Sequence, residues 1–404
     1  MKIAIFTDYF YPELGGMQDS VAELSRELGA RGHTVHIWAP KASKKDFRIS
    51  GLQPVELDLG KNVHVHRVPS IHCPSSSLQS RIAMPYVLPA REVLRTCDVL
   101  HTHSFIGIGL SAIRAASRYH IPLVGTNHWV ISEFAEYAPA FLEGTFRRGS
   151  VKLVTWYYNH CAYVTAPSQT VLDEKITVGM RQRSAVVSNP IDVKIFRPAH
   201  GDERATARKK FGFDGLVIAC VGRLAPEKKN DIAVRAFART ARRFPDAILA
   251  FGGHGSFEKD LRALAEKEGV ASRVRFLGTL TKEGVAELYR ASDVYAITST
   301  SESQSMSLIQ AFATGLPAVG VSWRAIPEYL NADRGFLSDR DDVEAFSRHL
   351  ETLLGDEELR KRLGQNALAF AQNLSVKAVV DTWERIYGEV CASHAKKPPQ
   401  KGLF

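Results

Sequence analysis

The sequence predicts an α/β protein made of two doubly wound, Rossmann-like domains, and three observations predict it. Short, nearly continuous apolar runs alternate with longer stretches of helical periodicity. The runs carry almost no polar alternation, as strands buried on both faces of a parallel sheet require. The rhythm breaks once, between the prolines of Ser188-Asn-Pro-Ile-Asp-Val-Lys-Ile-Phe-Arg-Pro198, and then begins again.

Taken in order, Lys2–Phe6 reads as a strand, Val21, Leu24 and Leu28 lie at helical spacing, and Thr34–Trp38 follows Gly32 as the next strand. Ser20-Val-Ala-Glu23 has capping-box spacing and marks the expected start of that first helix. Strands are expected at Val63–Val68, Val99–His103, Leu123–Thr126 and Ala162–Ala166, with helices over Gly109–Tyr119 and near Ser150. After the break come Leu216–Val221, a helix capped by Asn230, and strands at Ala247–Phe251, Val274–Phe276, Asp293–Ile297 and Ala318–Val321. The expected organisation is 1–193, 194–373, a terminal helix over 374–391 and a frayed tail from 392. Open parallel sheets bind ligands at their strand C-termini, so the two binding edges are expected to face each other across a cleft.

Composition excludes several classes. With 45% hydrophobic and 24% charged residues the chain is not disordered, and it lacks an apolar stretch near the ~20 residues of a bilayer crossing. The net charge of +9 is spread along the chain, which favours anionic partners in general and, without a supporting motif, does not indicate nucleic acid. Five scattered cysteines without a C-x-x-C pair argue against a disulfide framework or thiolate zinc site. Asp8 and Pro12 interrupt Met1–Phe6 too early for a signal peptide, so the cytoplasm is the expected compartment.

The candidate chemistry sits in loops between strands and helices. In Pro12-Glu-Leu-Gly-Gly16, Gly15 and Gly16 let backbone N–H groups approach a phosphate or sugar oxygen, although a plain tight turn reads the same. In Gly222-Arg-Leu-Ala-Pro-Glu-Lys228, Arg223 supplies a planar fork and Lys228 a point charge, a pair able to clamp a diphosphate. Gly252-Gly-His-Gly255, with Gly253 at its centre, indicates a close backbone approach. Glu302 precedes a helix whose first turn, from Ser305 and Met306, can bind phosphate through its N–H groups. Gly107-Ile-Gly-Leu-Ser-Ala112, with Glu133 downstream, imitates a nicotinamide-binding fingerprint, but in the fourth unit instead of the first. His101, His103 and His128 raise a metal site, against which stands the lack of a suitably spaced carboxylate or thiolate. Asp339-Arg-Asp341 reads as solvated surface.

Together these motifs resemble the retaining glycosyltransferases of family 4 (group 1), of GT-B fold, over nearly the whole chain. The matching residues are Pro12–Gly16, Val99–Ser104, Thr126–His128, Ala166–Ser168, Asn189–Phe196, Gly222–Lys228 and Gly315–Pro317. The stretch Ser375–Val390, with Trp383, is similar to the family's helix that crosses back onto the first domain. The resemblance implies that the second domain holds a nucleotide diphosphate sugar and the first an acceptor. It implies that Arg223 and Lys228 neutralise the leaving diphosphate and Glu302 contacts sugar hydroxyls. His128 is then near the donor sugar, Gly16 against its phosphate, and Gly15, Gly222, Gly253, Ser305, Met306 and Gln310 contribute to donor binding. It implies catalysis without a protein nucleophile and without a metal cofactor.

Three positions, at two places in the chain, depart from the family pattern. Gln310 stands where the second acid of E-x7-E accepts ribose hydroxyls, and Trp323 and Arg324 replace a glycine pair before Ile-Pro-Glu328. Phe141–Tyr158 mixes aromatic residues with Arg147, Arg148, Lys152 and Trp156, which suits either an anionic membrane surface or a packed helix with snorkelling cations. The leading expectation is a hexosyltransferase using a UDP-sugar in preference to a GDP-sugar, with a lipid or lipid-linked hydroxyl acceptor at the inner face of the plasma membrane. A nucleotide-sugar-binding protein with catalysis degraded through Gln310 is the alternative from another class, and a nicotinamide oxidoreductase a distant third.

Overall fold

The computed structural model describes residues 1–13, 15–72, 81–128 and 143–395, positions 143–147 by backbone alone. The chain divides into two compact units, one formed by Met1–Pro190 with the chain from Val376 onward, the other by Ile191–Ser375. The boundaries fall at 190/191 and 375/376 because Ile191 is buried in the second unit's core and bridges to Ser375. The expected breaks at 193/194 and 373/374 shift by a few residues accordingly.

The first unit's described strands are β1 (Lys2–Phe6), β2 (Thr34–Pro40), β3 (Val63–Val68), a short antiparallel pair β4 (Ser70–His72) and β5 (Arg81–Ala83), β6 (Val99–Thr102), β7 (Leu123–Thr126), β8 (Tyr163–Ala166) and β9 (Ser184–Val186). They form a parallel sheet of order β3-β2-β1-β6-β7-β8-β9, with the β4–β5 pair separate. One core joins the helices Ile108–Tyr119 and Glu143–Asn159 to Phe6, Trp38 and Leu100. Another joins Gly16–Ala30 and Val376–His394 to Ile3, Ile5, Val35 and Ile37. The alternation of Ile3 and Ile5 with Ala4 and Phe6 between these clusters is the period of two that sends successive side chains to opposite sheet faces.

The second unit contains β10 (Val217–Val221), β11 (Ile248–Gly252), β12 (Val274–Phe276), β13 (Val294–Ile297), β14 (Ala318–Val321) and β15 (Gly335–Ser338). Its order, β12-β11-β10-β13-β14-β15, is parallel throughout and places the topological switch between β10 and β13. Expected strands keep their places with ends moved by a residue or two. Strands β9 and β15 and the β4–β5 pair escaped sequence reading, since each is only three or four residues long and β15 opens on a glycine.

Two expected helix starts are corrected. The first helix spans Gly16–Ala30 with Gly15 at its N-cap, so Ser20 lies inside it and donates its hydroxyl to Asn189 Oδ1 at 2.9 Å. Asn230 is the first residue of the helix Asn230–Arg243; Lys229, at φ 51°, precedes it and no side-chain cap bond forms.

Candidate functional site

In the second unit the candidate residues converge at the C-terminal edges of β10, β11 and β13, around the switch point. Gly222 follows β10 at φ 147° and its N–H donates to Gly252 O at 3.0 Å. A Cβ on Gly253 would lie 1.9 Å from Gly222 O, so only glycine permits the two loops to touch. The same stitching continues as Leu224 N–H donates to His254 O at 3.1 Å. On this backbone Arg223 donates to Glu227 Oε1 at 2.6 Å and remains 43% exposed.

Lys228 ends the short helical turn Pro226–Lys228, and its ammonium donates to Glu302 Oε1 at 2.7 Å and to Ser301 O at 3.4 Å. The pairing is buttressed from below: Thr298 Oγ1 donates to Lys228 O at 2.9 Å, and Thr300 N and Oγ1 both donate to Glu227 O at 3.0 Å. Three residues on, Ser305 caps the helix Met306–Ala313 by accepting from Leu308 N at 3.3 Å. That cap occupies one donor of the first turn, and the N–H groups of Met306 and Ser307 have no intrahelical acceptor. A cation, a carboxylate and a positive helix end thus stand together, a set that can hold a diphosphate and a neighbouring polyol. Gln310 lies one helical turn on from Met306 and is half-buried.

Trp323 and Arg324 follow β14. The indole N–H donates to Thr300 O at 3.1 Å, and Arg340 lies 4.5 Å over the ring centroid. Arg324 adopts φ 53°, a left-handed conformation that glycine adopts without penalty. Asp341 is not merely solvated, for it lies 3.9 Å from Lys229 and 3.2 Å from Arg340.

In the first unit the histidines form one buried column. His101 and His103 rings lie 4.2 Å apart, and His103 Nδ1 and His128 Nε2 share a hydrogen bond of 2.9 Å. His101 is held by Tyr387 OH at 2.7 Å and Thr126 Oγ1 at 2.6 Å, which continues to Thr165 Oγ1 at 2.7 Å. Burial pushes the His101 pKa down to about 3 and the His128 pKa to about 4, and His103 well below its usual value, so all three are neutral near pH 7. Among the described residues no group of three His, Cys, Asp or Glu side chains could hold a metal ion. Sequence reasoning found these histidines one by one; Tyr387, which fixes His101, is distant in the chain and gave no motif.

The fingerprint at Gly107 is occupied by the protein itself. Asp8, buried after β1, accepts from Ile108 N–H at 3.3 Å and Ala83 N–H at 2.9 Å, and a Cβ at Gly107 (φ 50°) would meet its Oδ2 at 2.7 Å. The helix end that would receive a dinucleotide pyrophosphate already holds a carboxyl, raised by burial to a pKa of about 7. Gly15 and Gly16 stand at the start of the helix Gly16–Ala30, with the intervening turn opened by a cis Tyr11–Pro12 bond.

The helix Glu143–Asn159 turns Val154, Tyr157 and Tyr158 into the core. Arg148, Lys152 and Trp156, four residues apart in turn, are exposed, with Leu153 beside them at 41%. The packed-helix reading therefore holds for the tyrosines and not for Trp156. Phe141, Leu142 and the side chains of Phe146 and Arg147 lie outside the described residues, as does Glu133.

Comparison with known proteins accords with this geometry. The model of glycosyltransferase family 4 matches residues 14–195 and that of glycosyl transferases group 1 matches residues 203–370. The D-inositol 3-phosphate glycosyltransferase of Corynebacterium glutamicum is 32% identical over 319 residues, covering 74% of this chain and 73% of that one. The alpha-monoglucosyldiacylglycerol synthase of Acholeplasma laidlawii is 24% identical over 419 residues, covering 99% of this chain and all of that one. The crystal structure of Anabaena Alr3699/HepE in complex with UDP superposes with a TM-score of 0.75 at 19% identity, covering 96% of this chain and all of that one. On its sheets, its loop motifs and these matches, the chain belongs to the group 1, family 4 glycosyltransferases of GT-B fold.

Proposed function

We propose that the protein transfers a hexose, with retention of configuration, from a UDP-sugar to a hydroxyl on a lipid or lipid-linked acceptor. The observation that carries this reading is the pairing of Lys228 with Glu302 at the switch point of the second sheet, with Arg223 on the same loop as Lys228. As the sugar C1–O bond to the diphosphate breaks, negative charge grows on the phosphate oxygens, and the two cations stabilise it. The acceptor hydroxyl attacks from the side the diphosphate leaves, and its proton passes to a phosphate oxygen. Glu302 accepts from sugar hydroxyls and orients the ring. With two fixed cations at the leaving group, the reaction proceeds without a metal cofactor, so a chelator leaves the rate unchanged.

The donor is inferred from Alr3699/HepE, which was crystallised with UDP and with UDP-glucose, and retention from the alpha linkage in the names of the glucosyldiacylglycerol synthases. The lipid acceptor draws support from those same names and from the exposed Arg148–Lys152–Trp156 stripe. No helix among the described residues is long and apolar enough to cross a membrane, so contact with the inner face of the plasma membrane would be peripheral. The test is calorimetric titration with UDP, GDP, ADP and NAD, followed by transfer from UDP-glucose to diacylglycerol in anionic vesicles with the product anomer read by NMR. UDP binding with an α-linked product supports the reading. Donor binding without transfer to any acceptor, unchanged by Gln310→Glu, would instead favour a nucleotide-sugar-binding protein.

A further inference from the structure

The segment Thr298–Glu302 is held from two sides. On one side Thr298 and Thr300 bond to the backbone of Lys228 and Glu227, as described, and Lys228 Nζ bonds Ser301 O and Glu302 Oε1. On the other side the indole N–H of Trp323 donates to Thr300 O at 3.1 Å. Trp323 is itself fixed. Its ring packs on the second unit's core below and under the Arg340 guanidinium above, and Arg340 is paired with Asp341, which faces Lys229. Lys229, Arg324 and Asp341 all take left-handed backbone conformations, at φ 51°, 53° and 68°. Non-glycine residues persist in such conformations when the surrounding structure over-determines them. Lys229 and Asp341 are joined to each other and to Arg340 in the network beside the Lys228–Glu302 pair.

We propose that Trp323 is a positioning residue of the donor site: through Thr300 it sets where the Glu302 carboxylate stands against the transferred sugar. The proposal rests on the donor-site reading above. A glycine at 323 offers no side-chain donor, so the segment carrying Glu302 would lose this hydrogen bond. The indole bonds the segment that carries Glu302, one step removed from Lys228, so its loss is expected to fall more on the sugar than on the diphosphate.

That selectivity supplies the test. UDP carries the diphosphate without the sugar, whereas UDP-glucose carries both. Trp323→Phe keeps the ring and removes the N–H. It is expected to weaken UDP-glucose binding about five-fold, the usual worth of one hydrogen bond, and to leave UDP binding within about two-fold. Lys228→Ala, by contrast, is expected to weaken UDP as well as UDP-glucose and calibrates the comparison. Arg340→Ala, which uncovers the indole without touching its N–H, is expected to shift the same ratio in the same direction by a smaller factor, and it serves should Trp323→Phe fail to fold. Equal losses for UDP and UDP-glucose in Trp323→Phe, or no change in either, would overturn the proposal and leave Trp323 a packing residue. Absence of UDP binding by the wild-type protein would strike the donor-site reading itself, a different result from an unselective variant of a binding-competent protein.

Discussion

Lys228 Nζ stands 2.7 Å from Glu302 Oε1, so the two groups assigned to opposite ends of the donor bind each other. A diphosphate reaching the ammonium competes with the carboxylate, and a sugar hydroxyl reaching the carboxylate competes with the ammonium. The site is therefore best satisfied by a ligand that brings both at once.

Removing the cation removes the main stabilisation of the leaving group. Lys228→Ala is expected to lower transfer by about 100-fold or more, with the fold intact by circular dichroism. Near-normal turnover in this variant would refute the assigned role.

Gln310 presents a neutral amide where the family has an acid. Bonds to a charged acceptor are about twice as strong as neutral ones, so Gln310→Glu should tighten UDP binding about five-fold by calorimetry. Unchanged affinity would place the ribose elsewhere.

Burial of the histidine column makes stability pH-dependent. For His101 and His128 the folded pKa values, about 3 and about 4, lie below the ordinary 6.5, so their contribution is present above pH 6.5 and lost as pH falls below it. By pH 5 each has lost about 2 kcal/mol, and His103 acts in the same direction. Asp8, raised from 3.8 to about 7, works oppositely, regaining about 2 kcal/mol over the same interval. Urea unfolding should thus show a net loss of stability between pH 6.5 and 5, and Asp8→Asn should steepen it.

The stripe on the helix Glu143–Asn159 predicts electrostatic membrane attachment. Arg148→Glu with Lys152→Glu should abolish co-sedimentation with anionic vesicles at low salt, each cation contributing about 1 kcal/mol near the surface. Trp156→Ala should weaken binding in a salt-independent way. Sedimentation indifferent to all three substitutions would disprove the surface.

What the sequence made legible is what short-range pattern encodes. Strand and helix periods locate both sheets, and the loop patterns place Arg223, Lys228 and Glu302 after strand ends. Pairings between distant segments were not legible. Ser20 has cap-like spacing, yet its hydroxyl serves Asn189, 169 positions on. The Gly107 loop has a nucleotide-like pattern, yet Asp8 fills it from another strand. His101 depends on Tyr387, 286 positions away, and Thr300 on Trp323 across two strands. In each case tertiary packing supplies a partner that local spacing cannot name.

The helix Val376–His394 completes the core of the first unit with Val380, Trp383, Ile386 and Tyr387. Because this helix follows Ile191–Ser375 in the chain, residues 1–190 leave the ribosome before the helix that shares one sheet face with Gly16–Ala30. The whole of Ile191–Ser375, by contrast, is synthesised as an uninterrupted stretch. The second unit can therefore mature first, while the nascent first unit keeps apolar surface exposed until Val376–His394 is made.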